Sequence, residues 1–103
     1  MIKVLIALTR RDGMGRDDFR RHWRDVHGPI AAAMPGVRRY VQNHATLDGA
    51  PFDGLAEMWF DDAEGMQRAF TSPQAQEAAA DSENFLSSTQ VVMVEEVEVV
   101  TGD

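Results

Sequence analysis

The sequence predicts an α+β protomer with the order β-α-β-β-α-β, the split βαβ or ferredoxin-like arrangement: a four-stranded antiparallel sheet with helices on one face. Three observations predict it. Four stretches are rich in β-branched and aliphatic residues: Ile2 to Thr9, Val37 to Ala45, Leu55 to Phe60 and Gln90 to Val100. Apolar residues recur at helical spacing after the first and third of these. Turn signals such as Asp12-Gly13, Pro35-Gly36 and Asp48-Gly49-Ala50-Pro51 separate the segments. At 103 residues, with no internal repeat, the chain makes one domain, 1–103.

The elements follow in order. After Asp12-Gly13, Gly15 stands where a helix N-cap is expected, and Asp17 and Asp18 lie in the first turn, where acids favour the positive end of the helix dipole. That helix is predicted to run to about His27 and to stop at Gly28-Pro29. Asp61-Asp62 precedes a short helix with Met66, Ala69 and Phe70 on one side, and Ser72-Pro73 starts another turn by the cap-then-proline rule. Ala75, Ala78 and Ala79 give that segment a small-residue face. Asp81 to Phe85 is polar and reads as a helix end or loop.

The strands carry a consequence for assembly. Ile2, Val4, Ile6 and Leu8 share one face of the first strand, but Leu5 and Ala7 on the other face are apolar too. The last strand has Val91, Met93, Val97 and Val99 on one face and Val92, Val94 and Val100 on the other. Helices cover only one side, so the second side predicts a homodimer joined through the sheet faces.

Composition removes several function classes. A net charge of −7 disfavours binding to nucleic acid and to anionic membrane surfaces. No apolar run approaches the roughly 18 residues a bilayer span needs. The first residues run straight into Arg10-Arg11-Asp12, so they read as a strand and not a signal peptide, and the expected location is cytoplasmic. The chain has no cysteine, which removes thiolate nucleophiles, disulfides and zinc-thiolate sites. There is no Gly-rich phosphate loop and no Gly-x-Ser-x-Gly elbow, so no cofactor is expected. His22, His27 and His44 lack the i, i+4 pairing of a zinc site, and His22 and His27, five apart, fall on different faces of a regular helix, so no metal is expected.

The candidate chemistry centres on the first helix. Phe19, Trp23, Val26, His27 and Ile30 form one apolar stripe, with Arg20, Arg21, Arg24 and Asp25 largely opposite. A histidine closing an apolar stripe beside a tryptophan makes His27 the candidate acid or base, since imidazole titrates near neutrality. The competing reading has its ring capping the helix C-terminus. His22, with Asp18 and Asp25, reads as a solvated surface residue. Tyr40, Gln42 and His44 share a strand face and are candidate polar contacts, with Arg38 placed to draw in an anion; in the inverted register Val41 and Asn43 point inward instead. Trp23 and Trp59 are candidate walls for a planar ligand. Glu57, beside Trp59, is either a base with raised proton affinity or a dimer contact. Met34, Met58, Met66 and Met93 are soft fillers suited to core or pocket, and Asp53-Gly54 reads as a turn.

The pattern Arg11-x-x-Met14-x-x-x-x-Phe19-x-x-x-Trp23-x-x-x-His27-x-Pro29, then Pro35-Gly36, then Phe52-Asp53-Gly54 before Glu57-x-Trp59, resembles the EthD family of the dimeric α+β barrel superfamily, named from ethyl tert-butyl ether degradation. The resemblance runs from Met1 to about Val100. It implies a ferredoxin-like protomer, dimerisation through the sheets and a pocket between sheet and helices. The resemblance implies relatives among muconolactone isomerases and aromatic polyketide cyclases, with cofactor-free monooxygenases in neighbouring families. Some isomerase relatives employ a cysteine, absent here, and the usual Ser or Thr at the helix cap is Gly15. The expected function is therefore proton-transfer chemistry (isomerisation, cyclisation or dehydration) without a cofactor on a small apolar oxygenated ring or lactone-like compound. The alternatives are cofactor-free oxygenation, a non-catalytic module that shelters a ligand in a degradation pathway, or a stress-response dimer with a vestigial pocket.

Overall fold

Four strands and a two-part helical layer appear in the computed structural model, which describes residues 1–102. Strand β1 (Ile2–Arg10) is followed by α1 (Arg16–His22), a π-helical turn (Trp23–His27) and α2 (Gly28–Ala32), which run on without a break. Then come β2 (Arg39–His44), β3 (Gly54–Phe60), α3 (Ala63–Phe70), α4 (Pro73–Ser82) and β4 (Leu86–Val94). The sheet order is β2-β3-β1-β4 and each neighbouring pair is antiparallel. The predicted α+β ferredoxin-like fold is the one observed.

Alternation along the strands sorts the side chains onto two faces. Ile2, Val4, Ile6 and Leu8 on β1 stand level with Ala56, Met58 and Phe60 on β3 and meet the helices, while Lys3, Leu5 and Ala7 face away. Phe19, Trp23, Phe60 and Phe85 are fully enclosed on the helix side; burying each contributes about 1.5–3 kcal/mol. The caps are those the sequence predicts. Asp62 accepts from the Gly65 N–H at 2.7 Å, and Ser72 accepts from the Ala75 N–H at 3.2 Å.

Two boundaries differ from expectation. The helix does not stop at Gly28-Pro29; it widens there. The Gly28 N–H bonds back five residues to the Trp23 carbonyl, and Pro29, which has no N–H to offer, occupies the first turn of α2. Gly28 suits the position because a Cβ would lie 3.1 Å from Gln42 Nε2 and 3.2 Å from the Trp23 oxygen. The last strand begins earlier and ends earlier than Gln90 to Val100. Its register on β1 closes at Lys3↔Val94, so residues 95–100 have no strand to pair with inside the protomer, and Val97, Val99 and Val100 are exposed. No helix among the described residues is long and apolar enough to cross a membrane.

Candidate functional site

A cavity of about 200 Å³ opens between the sheet and the helices. Its walls are mostly apolar, among them Trp23, Met34, Met58 and Ala78, and His27 and Tyr40 bring polar groups to it. The π turn delivers His27, and the inward face of β2 delivers Tyr40.

His27 does not cap its own helix. Its Nδ1 lies 2.9 Å from Asp81 Oδ2, a carboxylate near the end of α4 and almost fully buried. His22 joins the same carboxylate, its Nε2 at 2.9 Å from Oδ1 and 3.0 Å from Oδ2, and Asn84 Nδ2 donates to Oδ1 at 3.1 Å. The expectation that His22 is a solvated surface residue is thus overturned, as is its separation from His27. The cause is the π turn. Five residues in a regular α-helix rotate a side chain to about 140° from its starting direction, and the wider turn closes that gap.

Burial pushes the Asp81 carboxyl up, yet hydrogen bonds from Asn84, His27 and His22 outweigh it and hold the group below its ordinary value. An ionised carboxylate only accepts, so the ring nitrogens facing it carry protons. For His27, burial lowers the proton affinity and the Asp81 bond restores only part of it, which favours the neutral ring. With the proton on Nδ1, the Nε2 lone pair is the free end of a cavity-lining imidazole, as a general base requires.

Tyr40 is arranged as a donor. The Gln42 amide gives one N–H to Tyr40 Oη and another to the Trp23 carbonyl, both at 2.9 Å, and its oxygen faces His44 Nε2 at 2.9 Å. Because the phenol oxygen already accepts from Gln42, its own O–H remains for a ligand oxygen. Burial raises the Tyr40 phenol, with hydrogen bonds offsetting part of the rise, so it stays protonated across neutral pH.

Of the residues expected to bind a ligand, the structure brings Trp23 and Tyr40 to the cavity with His27. His44 stays outside it, its ring 4.5 Å from that of Trp23, with Nδ1 buried and unpartnered among the described residues. Its proton affinity is lowered first by burial and then by Arg20 and Arg24. Glu57 and Trp59 lie on the opposite face of the sheet, because they alternate with Ala56, Met58 and Phe60, which point inward. There Glu57 meets Lys3 Nζ at 2.7 Å and Asn43 Nδ2 at 2.9 Å. Those bonds hold its carboxyl below the ordinary value, opposite to the raised affinity expected of a base. Trp59 lies under Lys3 and Arg39, 4.8 and 4.6 Å from its ring centre. Arg38 is paired with Asp61 at 2.7 Å on the surface and does not reach the cavity. Asp81, which sequence reasoning passed over as part of a polar segment, is the residue that organises the site.

Fold and site together define a ferredoxin-like α+β protein with a partly open cavity lined by a carboxylate-backed histidine. The EthD domain model matches residues 11–89, and the chain belongs to the EthD family. It is 33% identical over 85 residues to an 11.0 kDa protein of the thcB–thcC intergenic region of Rhodococcus erythropolis, covering 80% of this chain and 82% of that one. An ethyl tert-butyl ether degradation (EthD) family protein from Bacillus halodurans superposes with a TM-score of 0.79 at 24% identity, over 94% of this chain and 100% of that one. A dimeric protein with a ferredoxin-like fold from Bacteroides fragilis superposes with a TM-score of 0.74 at 14% identity, over 92% and 95%.

Proposed function

We propose that this protein binds a small, uncharged, oxygenated ring or lactone-like compound in the cavity and moves a proton on it with His27, without a cofactor. The observation carrying this reading is the His27–Asp81 pair: an imidazole lining a mostly apolar space, its Nδ1 held by a buried carboxylate. Tyr40 polarises a ligand oxygen through its O–H, and Trp23 lies against the ring. A proton removed by Nε2 leaves an imidazolium that Asp81 stabilises, and the developing negative charge on the ligand oxygen meets the Tyr40 hydroxyl. No Arg or Lys lines the cavity, which favours an uncharged substrate over an anion. Isomerisation, cyclisation and dehydration all need this kind of step.

The reading includes a homodimer through the outer sheet face. There Leu55 and Val92 are 41% and 54% exposed, a large apolar loss for a free protomer, and the similar Bacteroides fragilis protein is dimeric. Val92→Glu then turns the dimer into a monomer in light scattering; an unchanged mass would exclude this face. A cytoplasmic location belongs to the same reading, and cell fractionation would check it.

The test of the chemistry is a panel of phenols, quinones and lactones screened for binding by thermal shift. Binders are then assayed in D2O for exchange of their acidic C–H by NMR. Exchange that falls about 10²–10⁴-fold in His27→Gln with binding retained is the expected result. Binding with no exchange, in wild type and variant alike, would leave a ligand-sheltering module in place of an enzyme.

A further inference from the structure

Two imidazoles share Asp81, but only one reaches the cavity. His27 lines it; His22 does not. His22 Nε2 nevertheless engages both oxygens of Asp81, at 2.9 and 3.0 Å; without it each oxygen would keep a single partner, Asn84 on Oδ1 and His27 on Oδ2. The Phe85 ring is fully buried and packs against both histidines, 4.7 Å from His22 and 4.9 Å from His27 between centroids. A carboxylate torsion is broad and nearly two-fold on its own. Something must fix it if Oδ2 is to stay on His27 Nδ1.

We propose that His22 is a positioning residue for His27: by bridging both oxygens of Asp81 it holds the carboxylate in the orientation that keeps the His27 proton on Nδ1 and the Nε2 lone pair on the cavity. The inference rests on reading His27 as the base, and it assigns a role to a residue that touches no ligand. The mechanism is indirect. With His22 in place, Asp81 has one low-energy orientation and His27 one tautomer. Without it, each Asp81 oxygen keeps one partner only, the carboxylate turns more freely, Nδ1 loses a fixed acceptor, and the neutral ring is free to carry its proton on Nε2. A ring protonated there presents an N–H to the cavity and no longer accepts a proton. Gln is the conservative replacement, since its side-chain N–H stands the same number of bonds from Cα as His22 Nε2.

The test is the tautomer itself, read from the His27 ring-nitrogen shifts of 15N-labelled protein at a pH where the ring is neutral. Wild type is expected to show Nδ1–H, His22→Phe a switch to Nε2–H as the major form, and His22→Gln a return to Nδ1–H. In parallel, substrate exchange falls in His22→Phe and recovers in His22→Gln. Should His22→Phe not fold, His22→Ser, too short to span the carboxylate, carries the same expectation. A folded His22→Phe or His22→Ser whose His27 keeps Nδ1–H would overturn the proposal, whatever the turnover. If the tautomer responds as expected but no compound undergoes exchange, the positioning role stands and the catalytic reading of His27 falls.

Discussion

Replacing Gly54 by alanine tests how the cavity wall is held. The backbone of Gly54 is an ordinary strand, so alanine carries no conformational penalty there, but its Cβ would stand 2.4 Å from Cζ3 and 2.7 Å from Cη2 of Trp23. Non-bonded carbons settle at about 3.5–4.0 Å, so the indole must retreat by more than about 1 Å. Trp23 is 1% exposed, 5.8 Å from the Phe19 ring and 4.5 Å from that of His44, so the shift disturbs those contacts or pushes the indole into the cavity it lines. Overpacking of this kind costs about 3 kcal/mol at the upper end, while removing a glycine from a strand returns about 0.5–1 kcal/mol. The net loss is about 2 kcal/mol, a fall in Tm of about 8–16 °C for a domain of this size. Thermal unfolding by circular dichroism at one fixed protein concentration reads it. Because a phenyl ring does not extend as far, Trp23→Phe should cost less in the Gly54→Ala background than alone. A Gly54→Ala protein as stable as wild type, or additive losses in the double variant, would refute the packing of Trp23 against Gly54.

Other perturbations address the polar groups. Asp81→Ala strands two imidazole N–H groups and the Asn84 amide; a loss of about 2–4 kcal/mol in urea unfolding is expected, and under about 1 kcal/mol would mean the carboxylate is not shared as described. His27 and His44 both have proton affinities depressed by burial, so the unfolded chain binds more protons as pH falls below the ordinary value of 6.5. Stability is therefore expected to decline from pH 7 toward pH 5, with a shallower decline in His27→Gln; a flat profile in wild type would contradict the buried neutral rings. Below that window the depressed Asp81 carboxyl adds a further loss as it is protonated. Tyr40→Phe should weaken an oxygenated ligand about 3–10-fold and leave a hydrocarbon analogue unchanged by titration calorimetry; equal effects on both would remove Tyr40 as the donor.

Much of the fold was legible because its signals are local. Strand alternation put Tyr40 on one face with Gln42 and His44 without deciding which face is inward, and Asp62 and Ser72 announced their helices. The same alternation held the answer for Glu57 and Trp59: once Ala56, Met58 and Phe60 are seen to pack inward, residues 57 and 59 must point out. The last strand was extended too far because its valines continue, whereas strand length is set by the partner, and β1 begins at Ile2. The site was half legible. His27 stands out from its apolar stripe, but Asp81 lies 54 positions away in a polar segment that carries no local mark of burial. His22 was misplaced because a helical wheel assumes an unbroken hydrogen-bond ladder, and the change at Trp23–His27 leaves no trace in hydrophobic periodicity.

That widened turn makes the site a matter of phase. Deleting a single residue between positions 23 and 27 would let the ladder close as an ordinary α-helix. The segments on either side would then keep nearly their present relative rotation, because the wide turn already accommodates one extra residue. His22 and His27, then four residues apart, would stand about 40° apart and still share one face of the helix. What would part them is the same number of residues wound as a regular helix, which sets them about 140° apart. Among related chains, a histidine pair four apart in a regular helix and one five apart across a widened turn would be equivalent, so spacing has to be read together with the hydrogen-bond ladder.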